Sequence, residues 1–240
     1  MSGPSSTVAS GSELPLAART VLVTGPDGFM AGRIARAAAD RGARVGLATA
    51  ATVEEGTADD IATFPATLVG EGDADRLFDA VVDRFARLDI VIAVVAAELP
   101  DPLHEVSLEQ WRHGVTGPLR RLFWLARRAV EECLAEGAAA RIVLLLDPDP
   151  AGARNEVVEG ALRSFARGLA REYGRRALAC NVIVPVRSWG TDGARAPDLV
   201  DAIVEHVVFL ASPDASFVNG ETLVVDVRGQ REEPDGIGET

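Results

Sequence analysis

The chain has 240 residues, of which 36 are acidic and 24 basic, and its formal net charge is −12. This length fits one domain with a substantial core, and the negative charge disfavours binding to nucleic acid or to an anionic membrane surface. All the basic residues are arginines, so no lysine amine is available for chemistry. No run approaches the roughly 18 apolar residues of a membrane span, and no signal-peptide pattern is present, so we expect a cytoplasmic protein.

The two ends of the chain differ in composition from the rest. Residues 1–18 are rich in Ser, Gly, Pro and Ala and show no periodicity, while residues 230–240 are charged and glycine-rich. We therefore predict a flexible arm at 1–18, one folded domain at 19–229 and a flexible tail at 230–240.

Short apolar runs alternate with helical patterns between these ends. The predicted strands are 20–24, 44–48, 66–69, 90–96, 142–146, 179–184 and 222–225, and the predicted helices are 30–41, 73–85, 108–136, 155–173 and 198–210. Near-continuous apolar strands are typical of a parallel sheet that is buried on both faces. We predict an α/β fold: a Rossmann-like, doubly wound, seven-stranded parallel sheet with helices on both faces in a single domain.

A glycine-containing turn follows the first predicted strand. Gly25, Asp27, Gly28, Phe29 and Met30 stand where the pyrophosphate of a dinucleotide would meet the N-terminus of a helix. Two interpretations stay open: a nucleotide-binding turn, or a tight strand-to-helix turn that binds nothing.

This turn and several later segments resemble the short-chain dehydrogenase/reductase family over about residues 19–229. The segments are Gly25-x-x-Gly28-x-x-Ala31, 88–92, Trp111, 141–144 and 207–226. The resemblance implies dimers or tetramers formed through 108–136, 155–173 and the last strand, either of this chain alone or with a relative of the same family.

The family's catalytic tyrosine and lysine have no counterpart in this sequence. Alignment of residues 166–174 with the family puts Asn155 at the tyrosine position and Glu159 at the lysine position. An amide does not titrate near neutrality, and a carboxylate would raise the pKa of a neighbouring phenol. The single tyrosine, Tyr173, lies about five helical turns beyond Asn155. The resemblance thus implies a divergent member without the Tyr-x-x-x-Lys pair, and Pro118 replaces the family's asparagine.

The positions that would contact a cofactor are also altered. Thr49-Ala50 carries no charge that could select between a ribose hydroxyl and a phosphate, and 93–96 reads Ala-Val-Val-Ala where the family has Asn-Asn-Ala-Gly. We expect no cofactor or an unknown one, with NAD(P) as the disfavoured alternative. We expect no metal site, because no His/Cys spacing supports one.

The expected crevice at the carboxyl ends of the strands is bordered by acidic and polar residues. We predict that Asp147, Asn155 and Glu159 are the catalytic candidates and that Trp189, Ser188 and Thr191 contact a small-molecule substrate. A structural interpretation competes with this prediction. Glu159 and Arg163 have the spacing of an i, i+4 helix pair, and Asp147 stands beside a proline in a turn.

Three functions remain open. The first is a repurposed enzyme of bacterial specialised metabolism that carries out a dehydration, isomerisation or cyclisation by acid/base catalysis without hydride transfer. The second is a catalytically silent subunit that acts in an oligomer with an active partner. The third is an atypical NAD(P)-dependent oxidoreductase.

Overall fold

Seven parallel strands form one sheet, because apolar and β-branched residues recur in short runs that can be buried on both faces. The computed structural model describes residues 14–26, 28–50, 60–66, 68–96, 103–148, 156–185 and 197–225. The strands are β1 (Thr20–Gly25), β2 (Arg44–Thr49), β3 (Ile61–Pro65), β4 (Ile90–Val95), β5 (Ala140–Leu146), β6 (Leu178–Pro185) and β7 (Thr222–Val225). Their spatial order is β3-β2-β1-β4-β5-β6-β7, which confirms the predicted fold class.

Helices cover both faces of this sheet. They are α1 (Gly28–Ala39), α2 (Glu71–Phe85), α3 (Leu108–Trp111), α4 (Gly117–Glu136), α5 (Glu156–Tyr173) and α6 (Pro197–Ala211). Side chains alternate along each strand. In β4, Val91, Ala93 and Val95 therefore join the core beneath α2, α4 and α5, whereas the intervening residues join the core beneath α1 and α6.

The third strand lies earlier in the chain than predicted. The apolar run 66–69 was expected to form it, but β3 is Ile61–Pro65. Leu68 has a positive φ of 35°, and the side chain of Val69 is 71% exposed. The N–H groups of Val69 and Gly70 donate to Oδ2 of Asp73 at 2.8 Å, so this run forms the entry to α2.

The long helix predicted over 108–136 is interrupted near its start. A π-helical turn, Arg112–Thr116, separates α3 from α4, and the N–H of Gly117 donates to the carbonyl of Arg112, five residues earlier. Pro118 explains this interruption, because its nitrogen carries no hydrogen and its ring would crowd the carbonyl of Gly114 in a regular α-helix. The wider turn removes that conflict.

Side-chain hydrogen bonds fix the last strand against β6. Asn181 is buried, its amide donates to the carbonyl of Val218 at 3.0 Å, and its Oδ1 accepts the N–H of Glu221 at 3.0 Å. Asn219 accepts the N–H of Cys180 at 3.0 Å. These bonds hold the loop between α6 and β7 against β6. The order of helix, loop and final strand is the predicted one.

The described part of the chain begins before the predicted domain boundary. Leu16 is fully buried, and its N–H donates to the carbonyl of Arg41 at 3.0 Å. Packing therefore extends into the predicted N-terminal arm, while 1–13 and the predicted tail lie outside the described residues. No helix within the described ranges is long and apolar enough to cross a membrane.

Candidate functional site

A cavity of about 280 Å³ opens where the strand order reverses between β1 and β4. Doubly wound sheets place ligands at this switch point, outside the carboxyl ends of the strands. The lining comes from the ends of β1, β2 and β4, from the two residues of the described chain that flank position 67, and from the π-helical turn and α4. It consists of Thr24, Gly25, Pro26, Ala48, Ala50, Ala66, Leu68, Ala93, Val94, Val95, Ala96, His113, Pro118, Arg121, Leu122 and Leu125.

The glycine turn leaves this cavity open. Gly25 lines it, while the ring of Phe29 is 43% exposed and is not part of the described lining. Met30 is only 2% exposed, and its side chain packs into the core between α1 and the sheet, so only its main chain is available to a ligand. Gly28 begins α1, and Asp27 lies outside the described residues. The assignment of these five residues to a cofactor stays a prediction.

The walls of the cavity are mostly apolar. Ala93, Val94, Val95 and Ala96 all line it, and none of the four carries a polar side-chain atom. Ala50, at the position expected to select the cofactor, also lines the cavity and carries no polar side-chain atom.

Two residues with nitrogen-containing side chains line the cavity, one from the π-helical turn and one from the helix that follows it. His113 belongs to the turn, and Arg121 lies in the first turns of α4. π-Helical turns inside helices are frequent at functional sites, because they change which residues face a cavity. An imidazole can accept or donate a proton, and a guanidinium can bind an oxyanion.

Arg121 is a partly buried cation with no ion-pair or hydrogen-bond partner among the described residues. Burial lowers the pKa of its guanidinium, and the positive charge of Arg120 lowers the same pKa further. Both effects act against the charged form, and a bound anion would oppose them.

Asp147 and Glu159, the two described catalytic candidates, occupy different surroundings. Asp147 follows β5, is partly buried, and its N–H donates to the carbonyl of Val95 at 3.0 Å. Oε1 of Glu159 accepts hydrogen bonds from Nη2 and Nε of Arg163, at 2.6 and 2.9 Å. The helix pair expected from their spacing is therefore present, and neither Asp147 nor Glu159 is among the described lining residues of the cavity.

The remaining predicted site residues lie outside the described part of the chain. These are Asn155, Ser188, Trp189 and Thr191. Within the described ranges, no group of three His, Cys, Asp or Glu side chains is arranged to hold a metal ion.

Tyr173 is the last residue of α5. Helix α5 begins at the carboxyl edge of the sheet and runs to the opposite edge, where β6 starts, a length of about 25 Å at 1.5 Å per residue. A hydrogen bond to Glu172 raises the pKa of the Tyr173 phenol, and burial raises it further. This phenol therefore lies far from the cavity and is a weaker acid than a free tyrosine.

His113 and Arg121 line the cavity but are not among the site residues predicted from the sequence. A signal for Arg121 was present. Pro118 stands at a position that the family resemblance connects with the crevice, and a residue three positions later lies on the same helix face; both Pro118 and Arg121 line the cavity.

The seven-stranded parallel sheet with a cavity at its switch point defines a Rossmann-type protein. The sequence matches, over residues 29–198, the short-chain dehydrogenase model described as "Enoyl-(Acyl carrier protein) reductase". This match covers more than two thirds of the chain, so the protein belongs to the short-chain dehydrogenase/reductase family.

Named relatives agree with this membership, and a solved structure shows the same fold. The chain is 25% identical over 215 residues to 2-(R)-hydroxypropyl-CoM dehydrogenase of Xanthobacter autotrophicus, covering 79% of this chain and 86% of that protein. It is 28% identical over 246 residues to D-threitol dehydrogenase of Mycolicibacterium smegmatis, covering 87% and 91%. The crystal structure of 3-ketoacyl-(acyl-carrier-protein) reductase from Brucella melitensis, complexed with NADH, superposes with a TM-score of 0.75 at 20% identity, covering 88% of this chain and 98% of that one.

Proposed function

We propose that this chain is a divergent short-chain dehydrogenase/reductase that has lost the tyrosine–lysine hydride chemistry and uses its crevice for a non-redox acid/base step on a small molecule. Such a step removes a proton from the substrate and either returns it at another atom or releases it with hydroxide as water. It needs neither an external oxidant nor a hydride carrier.

The observation that carries this proposal is the position of the only tyrosine. Tyr173 lies at the far end of α5, about 25 Å from the start of that helix, and the sequence contains no lysine. A phenol beside an ammonium group is what lets the family protonate a carbonyl during hydride transfer. The aligned residues Asn155 and Glu159 offer neither group, and the carboxylate of Glu159 is held by Arg163.

His113 and Asp147 are the residues to which we assign proton transfer. His113 lines the cavity, whereas Asp147 lies outside the described lining and follows β5 at the same edge of the sheet. The predicted contribution of Asn155 remains part of the proposal, while Glu159 is assigned a role in holding Arg163 on the surface of α5. A small-molecule substrate in contact with Ser188, Trp189 and Thr191 also stays a proposal.

A second candidate is an atypical NAD(P)-dependent oxidoreductase. Two observations favour it: the named relatives are dehydrogenases, and the structural neighbour was crystallised with NADH. In this case Gly25 and Gly28 would hold the pyrophosphate, and the product would be protonated by another group such as His113. The apolar residues at 93–96 weigh against ordinary nicotinamide binding.

We also propose self-association through the surfaces that the family resemblance implies. Phe123 and Leu134 on α4 and Val224 on the edge strand β7 are 51%, 41% and 53% exposed, which leaves apolar area for a second copy or a relative to cover. A silent partner subunit would use the same surfaces without chemistry in the cavity.

Product analysis by mass spectrometry separates these functions. We would incubate the purified protein with small-molecule extracts of its source organism, with and without NAD(P)H. The non-redox proposal predicts a product of unchanged mass or one lighter by a single water, formed without nicotinamide. A product that differs by two hydrogens and requires the nicotinamide would establish the second candidate, and no product without a partner protein would favour the silent subunit.

Two substitutions assign the proton transfer. His113→Gln and Asp147→Asn should each reduce product formation by about a hundredfold, as expected for loss of a general acid or base. His206→Gln is the matched control, because His206 is an exposed histidine on α6, away from the described lining. Unchanged rates in both site variants would refute the assignment.

A further inference from the structure

Arg121 presents an unusual combination of a charged group and an apolar cavity. Apart from Thr24 and His113, the side chains that line the cavity with it are apolar or glycine. The described residues provide no carboxylate within ion-pair distance of its guanidinium. A partly buried charge without a counterion costs free energy, so an arginine at this position indicates a binding role.

The charges near Arg121 strengthen this conclusion. Arg120 precedes it and Arg112 lies in the π-helical turn, whereas the chain as a whole carries a net charge of −12. The positive charge of Arg120 acts on the Arg121 guanidinium, and adjacent positive charges on an acidic protein attract small anions. Arg120 is exposed, and its guanidinium lies 5.3 Å from the ring centre of Trp124, so it does not occupy the cavity itself.

The helix geometry directs the Arg121 side chain back towards the start of α4. Nη1 of Arg121 lies 3.5 Å from the point where a Cβ would stand on residue 117, which is a glycine. Side chains on a helix lean towards its N-terminus, and here the absence of a side chain on Gly117 leaves the guanidinium that path.

We propose that the cavity binds a compact small molecule with an apolar body and one oxyanion, and that Arg121 receives the oxyanion in a bidentate ion pair. This inference rests on the proposed function in taking the cavity as the substrate site. A planar guanidinium matches both a carboxylate and a phosphate monoester, and a cavity of about 280 Å³ with apolar walls suits a body the size of one aromatic ring.

Calorimetric titration of the full chain with three probes tests the inference. Benzoate and phenyl phosphate each carry an oxyanion on the same ring, and benzamide is the neutral counterpart. At least one of the two anions should bind about tenfold more tightly than benzamide, since a charge-assisted hydrogen-bonded pair is worth that factor or more. The tighter anion identifies the source as a carboxylate or a phosphate monoester.

Variants of neighbouring arginines connect the effect to one side chain. Arg121→Met should abolish the preference for the anion and leave benzamide binding unchanged, whereas Arg120→Met removes the same charge one residue away and should retain the preference. Arg121→Lys keeps the charge but not the planar fork, and should show a smaller preference; this variant decides the question if Arg121→Met does not fold.

Three results would overturn the inference: no binding of any probe, equal binding of anions and benzamide, or an anion preference that survives in Arg121→Met. Its failure is distinguishable from failure of the proposed function. Loss of benzoate binding in Arg121→Met together with NADH-dependent product formation would sustain this inference and refute the non-redox proposal. If a non-redox product forms but anion binding does not depend on Arg121, the non-redox proposal is sustained and the inference about Arg121 is refuted.

Discussion

The guanidinium of Arg121 lies over Gly117, one turn earlier in α4, with Nη1 3.5 Å from the position that a Cβ on Gly117 would occupy. The same Cβ would come within 3.3 Å of the carbonyl oxygen of Arg112 in the π-helical turn. Gly117 is therefore packed on two sides by the structure that shapes the cavity, although its backbone is helical.

This packing predicts an unequal response of two helix glycines to alanine. A methyl group on Gly168, in α5, would meet no atom within 4 Å beyond its chain neighbours and the backbone of its own helix. Gly168→Ala should therefore stabilise the protein by about 1 kcal/mol through helix propensity alone. Gly117→Ala should increase the free energy of unfolding by less, because the new methyl group would crowd the carbonyl oxygen of Arg112 at 3.3 Å. Urea unfolding of both variants measures the two changes, and an equal or larger gain for Gly117→Ala would contradict the described packing.

A buried carboxylate at the amino edge of the sheet predicts a large loss of stability. Asp89 is 4% exposed, and its Oδ2 accepts the N–H of Thr20 at 2.9 Å and the Nε of Arg87 at 3.0 Å. Asp89→Ala would leave a buried N–H without its acceptor, and we expect the free energy of unfolding to fall by about 2–3 kcal/mol.

A surface aspartate provides the control for this measurement. Asp201 pairs with Arg33, but the two side chains are 61% and 51% exposed, so Asp201→Ala should change the free energy of unfolding by less than about 0.5 kcal/mol. Denaturant titration of both variants gives the comparison. Similar losses of unfolding free energy in the two variants would show that the burial of Asp89 does not increase its contribution to stability.

The buried thiol of Cys180 predicts a pH dependence of stability. Burial in β6 raises the pKa of this thiol from 9.0 to about 12. Between these values the unfolded chain has lost the proton while the folded chain retains it, so the folded state binds more protons and its stability falls as the pH rises from about 9 to about 12. The slope from one such group is at most about 1.4 kcal/mol per pH unit.

Comparison with Cys180→Ala isolates that contribution. The variant lacks the thiol, so its stability should decrease less steeply over the same pH range, and the two unfolding curves should converge towards high pH. Folded wild-type protein should also resist thiol-directed alkylation at pH 8, whereas urea-unfolded protein should react. Parallel pH profiles, or rapid alkylation of Cys180 in the folded protein, would contradict the account of its burial.

Much of the fold could be predicted from the sequence, because strands buried on both faces need apolar residues at nearly every position. β1, β4 and β6 meet this requirement and were found within one or two residues of the predicted bounds. The edge strand β3 does not meet it: only Ile61 is buried, Ala62 and Phe64 are half-buried, and the exposed Thr63 and Pro65 weaken the apolar pattern. The run 66–69 is more apolar and so predicts a strand, but a positive φ at Leu68 turns the chain there.

The candidate site was less predictable, because it depends on a local break in helix geometry. Pro118 is visible in the sequence and is consistent with an interrupted helix, but the sequence does not show that His113 in the π-helical turn and Arg121 in α4 line the same cavity. The ion pair of Glu159 with Arg163 was foreseeable from the spacing. The sequence could not show whether the ring of Phe29 blocks the glycine turn, because that depends on the direction of one side chain.

The most direct test of the central claim is the rate of NADH and NADPH oxidation by the purified protein in the presence of a broad panel of ketones. A relative with an intact tyrosine–lysine pair, assayed in parallel, verifies the reagents. We predict no oxidation above the rate without protein, because no phenol or ammonium can reach the cavity to protonate the product. Oxidation at the rate of that relative, with one ketone consumed for each nicotinamide, would contradict the account.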